Sequence, residues 1–361
     1  MRIVFIAYLH GFGGAERQIV MLANAMLERG HEVYLLSISA DNRCYEINNK
    51  INYRYIPDRK SNFLRVFTRY SDLKRELKII RPDLTINFWY QSAYLTALMK
   101  KTYTGRIIYS ERGDPGDKEY SGVLGMIRAL TLHRIDGFVF QSKAAKKYFN
   151  SKIQKRSVVI SNPVFIKSDI LPKDISRRKA IVTVGRLCPQ KNQILLLDAF
   201  ASISNEIPDY ILEIYGEGEW EEKLKKRIRN LNLSHRVLLM GTSSRIHDLI
   251  LNASLFVLSS DYEGIPNTLL EAMALGIPCI TTDCRPGGAR EIIDNGKDGI
   301  IVPVGGQKEL ANAIRNCITN MQASLNRAQI AQKKMIKFNP NIIYKKWERF
   351  FLKICKVLET E

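Results

Sequence analysis

The strongest constraint on how this chain folds is a pattern in which short β-branched runs alternate with amphipathic stretches, in two separate cycles. The first cycle contains seven candidate strands, at residues 2–7, 32–39, 52–57, 83–88, 106–111, 137–142 and 157–162. The second cycle contains six, at residues 180–185, 210–216, 236–241, 255–260, 278–283 and 299–303. Nearly continuous apolar strands separated by helices are typical of parallel sheets covered on both faces. The sequence therefore predicts an α/β protein with two doubly wound domains.

An irregular stretch, PVFIKSDILPKDISRRK at residues 163–179, separates the two cycles. It has two prolines, mixed charge and no clean period, which is typical of a linker. We therefore expect an N-terminal domain at residues 1–165, a linker at 166–178 and a second domain at 179–340. The total of 361 residues is enough for two domains of ordinary size.

Composition narrows the class of protein further. No apolar run approaches the ~20 residues that a membrane-spanning helix needs. The opening MRIVFIAYLHGFGG has no Ala-x-Ala-like cleavage site, so we interpret it as a first strand rather than a secretion signal. The six cysteines show no metal-ligand spacing, and we expect free thiols in a reducing cytoplasm.

Positive charge is concentrated in the first half of the chain. The net charge is +19, and residues 1–160 contain 27 Lys and Arg against 14 Asp and Glu. Such an excess indicates an anionic partner, acidic lipid or nucleic acid, unless it is simply a basic soluble surface. Nucleic acid is the remote alternative, because the basic residues are spread over many predicted helices rather than forming one aromatic and basic platform.

Ligands of open α/β sheets bind at the carboxyl ends of strands, so the strand-to-helix turns are where chemistry is expected. Gly13 and Gly14 precede a helix whose exposed backbone N–H groups favour an anion such as phosphate. Arg186 and Lys191 lie at the start of another helix, where cations are unfavourable unless they meet an anion. We interpret this pair as a diphosphate site. Gly216 lies in a third such turn, which close packing of strand and helix explains equally well.

Two acids surround a further turn, in the stretch SSDYEGIPNTLLEAMALGIPCITTD at residues 259–283. Glu263 precedes a predicted short helix that is entered through Pro266, and Glu271 lies within it. Because carboxylates would repel a diphosphate, we expect them to accept hydrogen bonds from sugar hydroxyls. A nucleotide sugar has hydroxyls on both sides of its diphosphate, so two acids around one anion-binding turn fit such a ligand.

Together these motifs resemble those of the family 4 retaining glycosyltransferases, which have the GT-B fold. The matching segments are GFGGAER, SNPV, VGRLCPQKN, YGEGE, SDYEGIPNTLLEAMALGIPCI and GGAREIIDNGKDGIIVP. The resemblance implies two Rossmann-like domains facing a cleft, the first binding the acceptor and the second the nucleotide sugar. It also implies that a C-terminal helix, within residues 341–361, crosses back to the N-terminal domain.

Position by position, the resemblance implies a role for each residue of the site. Arg186 and Lys191 would clamp the donor diphosphate and Glu263 would bind hydroxyls of the transferred hexose, so these three are the expected catalytic residues. Glu271 would bind the ribose hydroxyls. The other donor-binding residues would be Gly13, Gly14, Gly216, Gly264, Ile265, Pro266, Asn267 and Thr268.

The implied reaction is front-face transfer with retention, in which the departing phosphate oxygen takes the proton of the acceptor hydroxyl. Positioning and preorganised positive charge would supply most of the catalysis. We expect no metal ion or other cofactor, since the chain has no metal-binding Asp-x-Asp context. A nucleotide-sugar 2-epimerase of the same architecture is the alternative, and the Arg186 and Lys191 pair combined with Glu263 and Glu271 argues against it.

One segment, YSERGDPGD at residues 109–117, departs from the commonest family pattern. Many relatives have a histidine near position 111 that faces the hexose, whereas this chain has Glu111, Arg112 and Asp114 on the expected acceptor and hexose side. His10 and His133 are alternatives that fit surface or packing positions better. The variant resembles members that build bacterial capsule, lipopolysaccharide or lipid-linked glycans, often from UDP-galactose, UDP-glucose or N-acetylhexosamine donors.

Two basic amphipathic segments, residues 59–81 and 122–138, suit reversible docking on an anionic inner leaflet, although apolar stripes more often face a core. With the resemblance, this predicts a cytoplasmic enzyme that is peripheral on the inner face of the plasma membrane. Its expected donor is a nucleotide diphosphate sugar, a UDP-sugar by resemblance, and its expected acceptor is a polyprenyl-diphosphate-linked glycan. The transferred group would be a hexose or an N-acetylhexosamine.

Overall fold

The computed structural model describes residues 1–11, 13–59, 64–100, 102, 105–117, 122–165 and 176–356. The chain divides into two compact units. The first comprises Met1–Asn162 and the segment that begins at Asn341, and the second comprises Pro163–Pro340. Residues 166–175 of the predicted linker 166–178 lie outside the described residues.

The first unit is built on a seven-stranded sheet in which every pairing is parallel. Its strands are β1 (Arg2–Leu9), β2 (Glu32–Asp41), β3 (Asn52–Ile56), β4 (Leu84–Asn87), β5 (Arg106–Ser110), β6 (Gly137–Phe140) and β7 (Ser157–Val159). The spatial order is β3-β2-β1-β4-β5-β6-β7. All seven predicted strands are confirmed to within a few residues.

The second unit has a six-stranded sheet, again parallel throughout. Its strands are β8 (Arg178–Val184), β9 (Ile211–Tyr215), β10 (Val237–Gly241), β11 (Ala253–Leu258), β12 (Cys279–Thr282) and β13 (Ile300–Val302). The order is β10-β9-β8-β11-β12-β13. The strand order therefore reverses between β8 and β11, with β9 and β10 on one side and β12 and β13 on the other. Ligands of such sheets bind outside the strand ends at this reversal.

Helices connect the strands on both faces of each sheet. In the first unit they are α1 (Gly14–Glu28), α2 (Leu64–Ile80), α3 (Tyr90–Leu98), α4 (Gly122–Leu132), α5 (Lys143–Lys147) and α6 (Ser151–Lys155). In the second unit they are α7 (Gln193–Ile203), α8 (Glu221–Asn230), α9 (Ile246–Ile250), α10 (Asn267–Ala274), α11 (Gly288–Ile292), α12 (Gln307–Thr319) and α13 (Met321–Lys334). Two doubly wound, Rossmann-like halves are therefore confirmed.

Alternation along the strands of the second unit divides its core into two layers. Ile181 and Leu255 belong to one buried apolar cluster, which includes residues of α7 and α12. Val182 and Phe256, the next residues along the same strands, belong to the other, which includes residues of α10. Successive side chains of a strand point to opposite faces, so continuous apolar strands need helices on both.

The last helix, α14 (Pro340–Ile354), packs on the first unit although it follows the second in the sequence. Trp347 is fully buried, and its ring lies 5.9 Å from that of Phe88. Glu348 accepts from His31 at 3.1 Å. Residues 163–165 group with the second unit rather than with the predicted first domain, since the Val164 N–H donates to the Phe338 carbonyl at 2.9 Å.

Replacing Trp347 with alanine should lower the free energy of unfolding of the first unit by about 3–5 kcal/mol, because truncating a buried tryptophan leaves a cavity. Hydrogen exchange followed by mass spectrometry should show faster exchange in α14 and the first sheet, with the second sheet unchanged. Lys345→Ala, at an exposed position of the same helix, is the control. Equal loss of protection in both units would contradict this assignment of α14.

Candidate active site

The turn between β8 and α7 contains both predicted cations. It ends in a short 3₁₀ helix, Pro189–Lys191, and in Asn192, whose backbone is left-handed with φ 44°. The Asn192 side chain caps α7 by accepting from the Leu195 N–H, and it donates to Asp261 at 2.8 Å. This end of the turn is therefore fixed to α7 and tied to the segment that follows β11.

Lys191 and Glu263 form an ion pair that joins the two turns, with Lys191 Nζ donating to Glu263 Oε1. Ser260 Oγ donates to the same carboxylate oxygen at 2.9 Å. The Lys191 and Glu263 side chains are only 15% and 10% exposed. The sequence assigned these residues to different parts of one ligand, and the structure places them in direct contact.

Arg186, the other predicted cation, is exposed at the start of the same turn. Its guanidinium lies 3.4 Å from Gln190 Oε1, and it makes no ion pair with any of the described residues. Gln190 in turn donates to the Tyr262 carbonyl at 3.0 Å. A guanidinium beside a buried ammonium, at the carboxyl edge of the sheet, can bind an anionic group with several oxygens.

Helix α10 begins at Asn267, directly after Pro266, whose own side chain makes no capping hydrogen bond. The positive end of the α10 dipole therefore lies at this turn, which favours an acceptor such as a phosphate or sugar oxygen. Glycine at position 288 allows a close approach here, because a Cβ on Gly288 would lie 1.5 Å from the Gly264 carbonyl oxygen. The Glu263 N–H donates to the Arg285 carbonyl at 2.8 Å, which fixes the turn from the same side.

Of the remaining predicted residues of this turn, Ile265 precedes α10 and Thr268 lies in its first turn. The Thr268 hydroxyl is buried and has no hydrogen-bond partner among the described residues. Glu271 is buried within α10. His247 of α9 lies with Nε2 at 3.3 Å from Glu271 Oε2. His247 could not be identified from the sequence, since nothing in its own segment indicates that it faces α10.

Gly216 lies at the end of β9 with φ 141°, where its ideal Cβ would be 1.9 Å from the Gly185 carbonyl oxygen. Its N–H donates to the Gly241 carbonyl at 2.8 Å. Glycine is therefore required at this position by the packing of neighbouring turns, whether or not it also contacts a ligand.

In the first unit, Gly13 caps α1 and Gly14 is its first residue. The Glu16 carboxylate lies against Gly13, since an ideal Cβ there would be 1.4 Å from Glu16 Oε2. Tyr45 donates to the Gly13 carbonyl at 3.2 Å. This helix N-terminus therefore already has a carboxylate beside it, which complements its positive end.

Glu111 is 2% exposed and accepts from Arg128 at 2.9 Å and from Tyr109 at 2.8 Å. Arg112 donates to Asn162 at 2.7 Å. Its guanidinium lies 3.9 Å from the ring centroid of Phe88.

Burial lowers the pKa of the Arg112 guanidinium from its ordinary value. Asp114 is also buried, and it accepts from the Gly116 N–H at 2.9 Å. The alternatives His10 and His133 are both exposed. The loop thus folds around its own ion pair and hydrogen bonds.

Two family models match this chain. The model described as Glycosyltransferase Family 4 matches residues 12–167, and the model described as Glycosyl transferases group 1 matches residues 170–335. The two matches correspond closely to the two structural units.

Two curated relatives that match along almost their whole length are glycosyltransferases. The amylovoran biosynthesis glycosyltransferase AmsD of Erwinia amylovora is 24% identical, over 96% of this chain and 97% of that protein. GalNAc-α-(1→4)-GalNAc-α-(1→3)-diNAcBac-PP-undecaprenol α-1,4-N-acetyl-D-galactosaminyltransferase of Campylobacter jejuni is 22% identical, over 98% of this chain and 99% of that protein.

A solved structure, Anabaena HepE in complex with UDP, shares the fold with a TM-score of 0.81. It is 20% identical to this chain, and the similarity covers 98% of this chain and 100% of that one. The fold, the motifs and the two family matches agree along almost the whole sequence. The chain is therefore a glycosyltransferase of family 4, with the two Rossmann-like units of the GT-B fold.

Proposed function

We propose that this glycosyltransferase moves a hexose or N-acetylhexosamine from a UDP-sugar to a lipid-linked surface glycan, with retention of configuration. The observation that supports this most is the Lys191–Glu263 pair, close in the chain to exposed Arg186 and to the N-terminal end of α10. It combines groups for a diphosphate with a carboxylate for sugar hydroxyls within one small region. We choose UDP as the donor nucleotide because the HepE structure contains it. We choose a lipid-linked acceptor because the Campylobacter relative is named for one.

In this proposal Arg186 and Lys191 bind the donor diphosphate, and Glu271 binds the ribose hydroxyls. The positive charge favours the bond-breaking step because negative charge develops on the leaving phosphate oxygen. The bond between the anomeric carbon and that oxygen breaks, and its electron pair stays on the phosphate. The acceptor hydroxyl attacks the same face, and its proton passes to the departing phosphate oxygen.

This reaction needs no separate general base and no metal ion, so we propose that the enzyme acts without a cofactor. Glu263, held by Lys191, is placed to orient the sugar rather than to remove a proton. The comparisons do not favour the nucleotide-sugar 2-epimerase alternative, because both family models and the relatives described above are glycosyltransferases.

UDP should raise the melting temperature of the protein in the presence of EDTA, whereas Glu271→Ala should lose most of that rise. A ligand at 100 times its Kd stabilises the folded state by about 2.7 kcal/mol. GDP and ADP test the preference for the base, and Glu222→Ala, which changes an exposed acid of α8, is the control. A shift that requires a divalent metal would contradict the metal-free mechanism, and no shift with any of the three would contradict the donor assignment.

Lys191→Met should lower kcat/KM for UDP-sugar by about 10²–10³-fold, because it removes a positive charge from the leaving diphosphate. UDP release in the presence of a lipid-linked acceptor measures the rate. Lys179→Met is the matched control, since Lys179 forms an exposed ion pair with Asp209 in the same unit. Equal rates for the two variants would show that Lys191 does not assist departure of the diphosphate.

We also propose that the first unit docks on an anionic membrane surface, which would place the enzyme on the inner face of the plasma membrane. None of the helices in the described part of the chain is long and apolar enough to cross a membrane. Helix α4, however, exposes Val123, Met126 and Leu130, which are 72%, 66% and 66% exposed. Their spacing places them on one face of the helix. Exposed lysines of the neighbouring α5 and α6 would contact acidic headgroups: Lys143, Lys147, Lys152 and Lys155.

A double variant, Met126→Asp with Leu130→Asp, should bind vesicles containing phosphatidylglycerol at least about tenfold more weakly, since charges replace apolar contacts with the bilayer. Co-sedimentation measures binding, and high salt should weaken it for the unaltered protein. Ile336→Asp is the control, because Ile336 is 70% exposed and lies in the second unit. Equal vesicle binding by the double variant and the unaltered protein would exclude α4 as the docking helix.

A further inference from the structure

Ser260 is a fully buried hydroxyl at the end of β11, three residues before Glu263. Its Oγ donates to Glu263 Oε1 at 2.9 Å. Its backbone carbonyl accepts from the Thr282 hydroxyl, so the serine is anchored to the neighbouring strand β12. A buried hydroxyl held in this way can direct the carboxylate that it contacts.

The two donors to Glu263 reach the same oxygen atom. Lys191 Nζ and Ser260 Oγ both donate to Oε1, and no described residue donates to Oε2. A carboxylate oxygen has about two lone-pair directions, so two donors satisfy Oε1. Oε2 is therefore the oxygen of Glu263 that can accept a further hydrogen bond.

We propose that Ser260 is a positioning residue for Glu263. Ser260 and Lys191 together occupy Oε1 of the carboxylate, so that Oε2 accepts a hydroxyl of the transferred sugar. This inference rests on the proposed function, because it assigns the sugar to Glu263. Without the serine, Lys191 alone holds the carboxylate. The carboxylate can then rotate so that the ammonium contacts both oxygens and competes with the sugar for Oε2.

The Lys191 ammonium has three N–H groups, so its bond to Oε1 leaves donors for a diphosphate oxygen. Ser260 therefore acts on the sugar end of the donor and leaves the nucleotide end unaffected. This separation distinguishes a positioning role from a general structural role, which would weaken binding of both parts.

The test compares Ser260→Ala with Ser254→Ala. Ser254 is also buried in the second unit, and its hydroxyl donates to the Arg178 carbonyl at 2.7 Å, away from Glu263. Calorimetry gives the Kd for UDP and for UDP-sugar, and steady-state assays give kcat and KM. The sugar nucleotide is whichever of UDP-glucose, UDP-galactose and UDP-N-acetylglucosamine stabilises the unaltered protein most.

Ser260→Ala should lower kcat/KM for the sugar nucleotide by about tenfold, as expected for the loss of one hydrogen bond to a charged group, with the Kd for UDP unchanged within about twofold. Ser254→Ala should change neither value, even if its melting temperature falls. If Ser260→Ala does not fold, Ser260→Cys keeps the volume with a weaker donor and should show a smaller loss of the same kind.

Two results would overturn the inference while leaving the proposed function intact. One is normal kcat/KM for Ser260→Ala, and the other is an equal loss of UDP and UDP-sugar binding. Failure of the unaltered protein to bind UDP or any of the three sugar nucleotides would instead overturn the proposed function, and this inference with it.

Discussion

The ion pair between Lys191 and Glu263 is the interaction on which the geometry of the proposed donor site depends. The two residues lie in turns that follow β8 and β11, which are neighbours where the strand order reverses. Because both side chains are largely shielded from water, removing either partner would leave a charge without its counterion, which costs about 3–5 kcal/mol when the pair is buried. The pair thus keeps the groups of the second unit that we propose to bind phosphate and sugar at a fixed separation.

Backbone contacts give the same region its rigidity. Gly216 and Gly288 each lie where a side chain would overlap a carbonyl oxygen of an adjacent turn, at Gly185 and Gly264. Ser259 adds a hydroxyl that donates to the carbonyls of Lys191 and of the next residue, both at 3.0 Å. These contacts hold the turns before any ligand binds, and preorganised dipoles cost no reorganisation during the reaction.

The fold could be predicted from the sequence because each buried strand is a run of apolar residues between amphipathic helices, and that pattern is local. The candidate site could be located for a related reason: Glu263 and Glu271 share one turn and helix, and Arg186 and Lys191 share another. Which side chains of the two turns contact each other could not be predicted. Lys191 and Glu263 are 72 residues apart, and only the tertiary structure shows that they contact each other.

The same limit applies to the loop that contains Glu111. The sequence shows an acid at position 111, but it does not show that Arg128, 17 residues later and on α4, neutralises it. The boundary at residue 163 is another example, because it depends on a hydrogen bond between Val164 and Phe338. Partners distant in sequence decide both features, and periodicity carries no information about them.

Neutralisation of Glu111 also changes what this loop can do. An isolated carboxylate would repel a diphosphate, but the Arg128 guanidinium cancels that charge at 2.9 Å and is itself enclosed by aromatic rings. Arg112 keeps a positive charge nearby and contacts Phe88 and an amide oxygen rather than a carboxylate. Asp114 and Asp117 remain as further acids of this segment. The Arg128 pair therefore removes the Glu111 charge from the balance, and Arg112 offsets part of the rest. An acid at position 111 therefore adds no net charge to the loop, because Arg128 is its counterion.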